Sequence, residues 1–164
     1  MKKLLVIDGN SILNRAFYGV KLLSNKNGLY TNAIFGMINI IMKQVEAVKP
    51  DYAAVAFDLK APTFRHKTYD AYKVGRKPMP EELAQQLPLI KELLSYLGYR
   101  IITKEGYEAD DIIGTLSLEA DKTLDSTGNC EYETYIISSD LDMLQIVDKN
   151  THMWRILKGF SNIE

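Results

Sequence analysis

Cysteine is almost missing from this chain of 164 residues, with Cys130 the single instance. One cysteine makes no internal disulfide, and the two histidines, His66 and His152, stand far apart, so no Cys/His set has zinc-ligand spacing. Long apolar runs are missing too. The opening MKKLLVIDGN holds four apolar residues before Asp8, too few for a signal peptide or a membrane-spanning helix, and the chain reads as cytoplasmic. There is no Walker A loop and no glycine-rich dinucleotide fingerprint. The DGN after the first apolar run lacks the second acid that an aspartyl-phosphate phosphatase places two residues on, and no Ser-His-Asp or Cys-His set stands out. No repeat or low-complexity tract occurs. Nor is there an excess of either charge: the total is −1, which points to no partner in bulk.

What remains is ordinary in amount and unusual in arrangement. At 46% apolar and 25% charged residues, the chain suits one soluble domain with a real core. Short apolar runs at 3–8, 52–58, 99–103 and 134–140 read as buried strands, with 152–157 a weaker candidate. Between them, 31–49 repeats apolar residues at three-and-four spacing. The stretch 80–98 opens on Pro80 and two acids and stops at Gly98, with Pro88 predicting a kink or two shorter helices. Segments 109–124 and 141–147 complete the helices, while 23–30 and 125–133 read as polar loops. Alternating strands and helices predict an α/β fold of three layers, a mostly parallel central sheet with helices on both faces.

The acids fall where that sheet would present its carboxyl edge. Asp8 ends the first strand, Asp58 the second and Asp140 the fourth, with Asp142 two residues on; Glu108, Asp110 and Asp111 open the helix after the third. A single acid after a strand is ordinarily a turn former or helix cap. Four such places on one edge raise each other's pKa values unless a cation intervenes, and all-oxygen ligands favour magnesium or manganese over zinc. Helical spacing puts Glu108 and Asp111 on one face and turns Asp110 elsewhere.

The neutral total also hides a division. Residues 60–77 carry Lys60, Arg65, Lys67, Lys73, Arg76 and Lys77 against Asp70 alone, a net +5 that leaves −6 for the remainder. Arg65, Tyr69, Tyr72 and Arg76 form one stripe if the segment is helical. Basic groups hold phosphates and aromatic faces stack on bases.

Taken in order, LLVIDGNSILNRAFYGV, TNAIFGMINII, KPDYAAVAFD, TFRHKTYDAYKVGRKPMPEEL, GYEADDIIG and SSDLDMLQ resemble the N-terminal half of the 5′→3′ exonuclease domain of bacterial DNA polymerase I, a flap-endonuclease-type nuclease with a PIN-like, resolvase-like fold. The resemblance runs from Met1 nearly to Glu164. It implies two magnesium sites, with Asp8, Asp58, Glu108, Asp110 and Asp111 in or near the first and Asp140 and Asp142 in the second. It implies DNA with 5′ flaps, nicks or RNA primers as substrate, a polymerase domain in the parent chain, and a bacterial, nucleoid-associated location. Arg15 and Tyr18 match positions beside the bent substrate strand. Arg65, Tyr72, Lys73 and Arg76 match an arch, with Lys73 and Arg76 steering the scissile phosphate, and Tyr69 joins this DNA-facing stripe.

Two departures set further expectations. Leu141 replaces a basic residue usual between the last two acids, and the chain stops at LKGFSNIE. The acids completing the second metal site and the helix-hairpin-helix element that grips duplex DNA are therefore expected beyond this chain, which reads as one N-terminal subdomain, 1–164. Two other readings share parts of the pattern. A PIN-like ribonuclease on single-stranded RNA accounts for the acids but not for the basic segment; a non-catalytic nucleic-acid-binding module accounts for the basic segment but not for the acids.

Overall fold

The computed structural model describes residues 1–59, 64–68 and 78–156. Five strands, β1 (Lys2–Asp8), β2 (Tyr52–Ala56), β3 (Arg100–Ile102), β4 (Tyr132–Ser138) and β5 (Thr151–Arg155), form one sheet in the order β3-β2-β1-β4-β5. Every pairing is parallel, as expected of strands separated by helices. The order runs outward from β1 to β2 and β3 on one side, then to β4 and β5 on the other. The connections therefore diverge between β1 and β4, and an open α/β sheet holds its ligand crevice at the carboxyl end of such a switch point.

The middles of the strands are apolar because both faces of the sheet are covered. Leu5, Ile7, Val55, Phe57 and Ile137 share one core with α1 (Gly9–Gly19), α2 (Asn32–Val48) and α5 (Gln86–Tyr96). Val6, Ala56 and Ile136, the alternate residues, share a second core with α6 (Ala109–Lys122) and Met143 of a 3-10 helix (Leu141–Ile146). Two glycines set close approaches. A Cβ on Gly9 would lie 2.5 Å from the Phe57 ring, and one on Gly36 would meet Ala16 and Val20 at 2.9 Å, which is how α1 and α2 come together.

Most expected elements are present, with boundaries that differ for physical reasons. β2 stops at Ala56 and β4 at Ser138, so Asp58 and Asp140 sit two residues past their strands instead of ending them. β4 starts at Tyr132, inside the expected loop, because Lys2 of β1 pairs with it. Segment 141–147 forms a 3-10 helix, capped by the Asp140 side chain. The 60–77 segment is described only as α3 (Phe64–Thr68); Tyr69, Tyr72, Lys73 and Arg76 lie outside the described residues.

The 80–98 segment is two helices, α4 (Glu81–Ala84) and α5, with the break at Gln85, one turn before Pro88. Proline has no N–H for the carbonyl four residues back and its ring crowds that carbonyl, so the helix yields at Ala84 while Pro88 sits harmlessly in the first turn of α5. The break aims Gln86 inward. Its Oε1 accepts the Ala33 and Ile34 N–H groups at 2.9 and 3.2 Å, and its Nε2 donates to Asn32 Oδ1 at 3.1 Å and to the Glu82 carbonyl at 2.8 Å. Asn32 Nδ2 donates onward to the Phe17 carbonyl at 3.0 Å. Thr31 caps α2 with no side-chain bond, so a residue of another helix satisfies the donors that open α2. Gln86→Ala leaves these buried groups unpaired and is expected to cost about 3 kcal/mol, against under about 1 kcal/mol for Gln85→Ala. Urea unfolding of the two variants at one pH measures the difference.

Candidate metal centre

The carboxyl ends of β1, β2 and β4 open into a crevice of about 1000 Å³ whose lining includes Asp8, Asp58, Glu108, Asp110, Asp140 and Asp142. Six of the seven expected acids are thus gathered at the switch point, with Arg15 and Tyr18 on the same wall. Tyr18 is 73% exposed and packs edge-on against Phe17. As they stand, no three of the described acids, histidines or cysteines are grouped tightly enough to hold one ion. The carboxylates repel one another, and several are tied to hydrogen-bond donors of their own.

Asp8 is the most deeply placed, 6% exposed. Its Oδ1 caps α1 by accepting the Ser11 N–H at 3.0 Å, and its Oδ2 accepts the Ser138 hydroxyl at 2.8 Å. Burial pushes its pKa up to about 6, the Asp58 and Asp140 charges add to the rise, and the two hydrogen bonds only partly offset it. Asp58 Oδ1 accepts the Ala109 N–H at 2.7 Å, so it caps α6 from across the sheet, while its own N–H donates to Asn10 Oδ1 at 2.9 Å. Asp140 Oδ1 accepts the Asp142 N–H at 3.0 Å. Burial, followed by the Asp111 charge, raises the pKa of Asp110.

The helical-spacing expectation for the trio holds for contact, since Glu108 and Asp111 meet, and fails for which acid joins Glu108 on the crevice. Asp110 lines the crevice with Glu108, and Asp111 does not. Glu108 is the N-cap of α6, with extended backbone (φ −97°, ψ 168°), and forms a reciprocal capping box with Asp111 three residues on. Asp111 instead accepts the Glu108 N–H at 2.9 Å and receives Arg65: Nη1 at 2.9 Å and Nη2 at 2.7 Å, a two-pronged pair. Arg65 Nη1 also lies 3.3 Å from Glu108 Oε2. Arg65, expected on the DNA-facing stripe, is therefore turned onto the acids. Its helix is docked there by the Phe64 N–H on the Gly106 carbonyl at 2.9 Å and by the Phe64 and Tyr107 rings, 5.7 Å between centroids.

Lys91 of α5 was not singled out by sequence reasoning. Its ammonium lies 4.8 Å from the centroid of the Phe57 ring; burial lowers its pKa, and the Asp58 charge opposes the shift. Only the packing of α5 against β3, with Lys91 over the Phe57 ring, brings it near Asp58, and no local motif signals that. Asn10 and Ser138 are likewise legible only in three dimensions.

The donor set fits a hard divalent cation: oxygen only, anionic, partly desolvated, and with Asp8 and Asp110 each raised first by burial and then by the carboxylates beside it. The raised Asp8 has a sign that can be checked. Its folded pKa lies above the unfolded value, so the Asp8 contribution to metal-free stability is full below about pH 4 and is lost as pH rises through about 6. Asp8→Asn, which keeps a good N-cap, is expected to stabilise the metal-free protein by about 1–3 kcal/mol at pH 7.5 and by little at pH 4. Urea unfolding in a chelator at the two pH values measures it.

Comparison with known proteins gives a consistent result. A family model described as 5′-3′ exonuclease, N-terminal resolvase-like domain, matches residues 3–164. DNA polymerase I of Caldicellulosiruptor bescii is 45% identical over 148 residues, covering 90% of this chain and 17% of the relative. DNA polymerase I of Bacillus subtilis is 42% identical over 163 residues, covering 99% and 18%. The chain thus spans less than a fifth of the curated relatives it matches. Among solved structures, T5 5′-exonuclease with bound zinc superposes with a TM-score of 0.63 at 16% identity, covering 94% of this chain and 55% of that one, which shows a shared fold. On a match that takes in all but its first two residues, the chain belongs to the N-terminal, resolvase-like domain family of 5′-3′ exonucleases.

Proposed function

We propose that this chain supplies the metal-binding crevice of a bacterial polymerase I-type nuclease that hydrolyses phosphodiesters at 5′ ends and flaps of DNA, including RNA primers. The reading places it in the cytoplasm with the nucleoid. Among the described residues no helix is long and apolar enough to cross a membrane. The single observation that carries the proposal is the gathering of Asp8, Asp58, Glu108, Asp110, Asp140 and Asp142 around one crevice at the switch point.

Magnesium, with manganese as a substitute, is the proposed cofactor. When bound, it supplies Lewis-acid polarisation of the phosphate and eases ionisation of the attacking water. Asp8, Asp58, Glu108 and Asp110 are assigned to the first ion. Asp140 and Asp142 contribute to a second, whose remaining ligands belong to a later part of the parent chain. Asp111, paired with Arg65 and holding the Glu108 N–H, serves the first group by fixing Glu108. Arg15 and Tyr18, on the crevice wall, are assigned to the substrate strand; the exposed Tyr18 ring offers a face to a base. Lys73 and Arg76 are assigned to the scissile phosphate and Tyr69 and Tyr72 to flanking nucleotides, a reading that rests on their sequence pattern. Arg65 is assigned to anchoring the start of that basic segment.

Magnesium or manganese at about a hundred times its Kd is expected to raise the melting temperature by about 5–10 °C, because only the folded crevice binds it. Asp110→Asn is expected to remove most of that rise. A wild-type melting temperature unchanged by millimolar metal would count against the crevice. Separately, Lys73→Ala combined with Arg76→Ala is expected to weaken binding to a 5′-flap DNA and reduce the slope of log K against log salt by about 1.5–2. Fluorescence anisotropy across a salt series checks this, and an unaltered slope would move the phosphate contacts elsewhere.

A further inference from the structure

Two turns meet at the switch point, and two serines join them. Ser138, the last residue of β4 and fully buried, donates its hydroxyl to Asp8 Oδ2 at 2.8 Å and accepts the Asp140 N–H at 3.0 Å. Ser11 answers from the other side: its N–H donates to Asp8 Oδ1 at 3.0 Å, and its Oγ accepts the Ser139 N–H at 2.9 Å. The directions of these bonds are forced. A backbone N–H can only donate, so the Ser138 oxygen must accept from Asp140, and its one proton is left for Asp8. Each oxygen of Asp8 is thereby addressed from a different turn. The contacts continue through Asp140 Oδ1 to the Asp142 N–H at 3.0 Å.

We propose that Ser138 is a positioning residue that couples the Asp8 carboxylate to the Asp140–Asp142 turn, so that the two acidic groups respond together when divalent cations enter the crevice. This rests on the metal reading of the crevice. Asp8 comes from β1 and Asp140 follows β4, and each carboxylate is otherwise free to turn about its own side-chain bonds. The hydroxyl removes that freedom at Asp8 and, through the same oxygen, fixes where the next turn begins. An alanine keeps the strand and the volume almost unchanged but leaves Asp8 Oδ2 and the Asp140 N–H without each other's common partner. A threonine restores the hydroxyl.

The test is a manganese titration followed by electron paramagnetic resonance of the free ion, on wild type, Ser138→Ala, Ser138→Thr and Ser11→Ala, with melting temperature in chelator recorded for each. The expected result is a rise in Kd of about tenfold for Ser138→Ala, recovery to within about threefold for Ser138→Thr, and a smaller loss of about threefold for Ser11→Ala, which keeps its N–H on Asp8. A purely structural role would lower the chelator melting temperature and leave the affinity of the folded protein alone. Wild-type affinity in Ser138→Ala overturns the coupling, as does a Ser138→Thr variant as weak as the alanine. Should Ser138→Ala fail to fold, unchanged affinity in Ser11→Ala overturns it. A wild type that binds no manganese removes the metal reading and the coupling with it, an outcome distinct from the others.

Discussion

Everything at the carboxyl edge of this sheet answers to one electrostatic constraint: a carboxylate at the end of the central strand, almost wholly removed from water, with others close by. Left alone, such a group would drive its neighbours apart or take up a proton. Asp8 sits where that tension is greatest, 6% exposed and pushed up to about 6. The surrounding structure is a set of partial answers. Helix α1 offers its amino end, two serines offer donors, and Arg65 draws Asp111 and one oxygen of Glu108 aside. None of these neutralises the crevice fully, and that residual negative potential is what a divalent ion would meet.

The same constraint orders the fold around it. Parallel strands bring all carboxyl ends to one edge, and the divergence of connections between β1 and β4 keeps any covering helix from closing it. Gly9 lets α1 begin hard against Phe57, so the first turn of that helix reaches Asp8. The buried polar hub at Gln86 holds α2 and α5 together and uses none of the crevice acids. The chain thus carries two kinds of buried polar chemistry: one neutral and structural, the other anionic with its charge only partly offset.

Much of this was legible in the sequence, for identifiable reasons. Apolar runs too short for helices gave the strands, three-and-four spacing gave α2 and α6, and acids placed just after apolar runs gave the crevice, because parallel topology converts sequence position into a shared edge. What failed was local geometry that depends on a second segment. Helical spacing paired Glu108 with Asp111 correctly but did not show that Asp110 joins Glu108 on the crevice, since Arg65 arrives from another part of the chain to occupy Asp111. The break at Gln85 came a turn before its cause at Pro88. Lys91 lay in no motif, and Asn10 and Ser138, though inside the DGN and SSDLDMLQ segments, carried no role readable there; their roles exist only once α5, α1 and β4 are packed. The family emerged from ordered segments, none of which would have carried it alone.

Asp58 shows how little of this site is devoted to a single task. It lies two residues beyond its strand, yet its Oδ1 receives the first N–H of α6 at 2.7 Å from a position 51 residues distant in the chain. The helix that bears Asp110 and Asp111 therefore borrows its terminus from a residue that itself faces the crevice. Such double employment narrows what inheritance can change here. A lineage that gave up the chemistry would still be held to an acceptor at this position to keep the helix seated, so an acid or amide surviving in a silent descendant would be a relic of architecture, and its presence there no sign of retained activity.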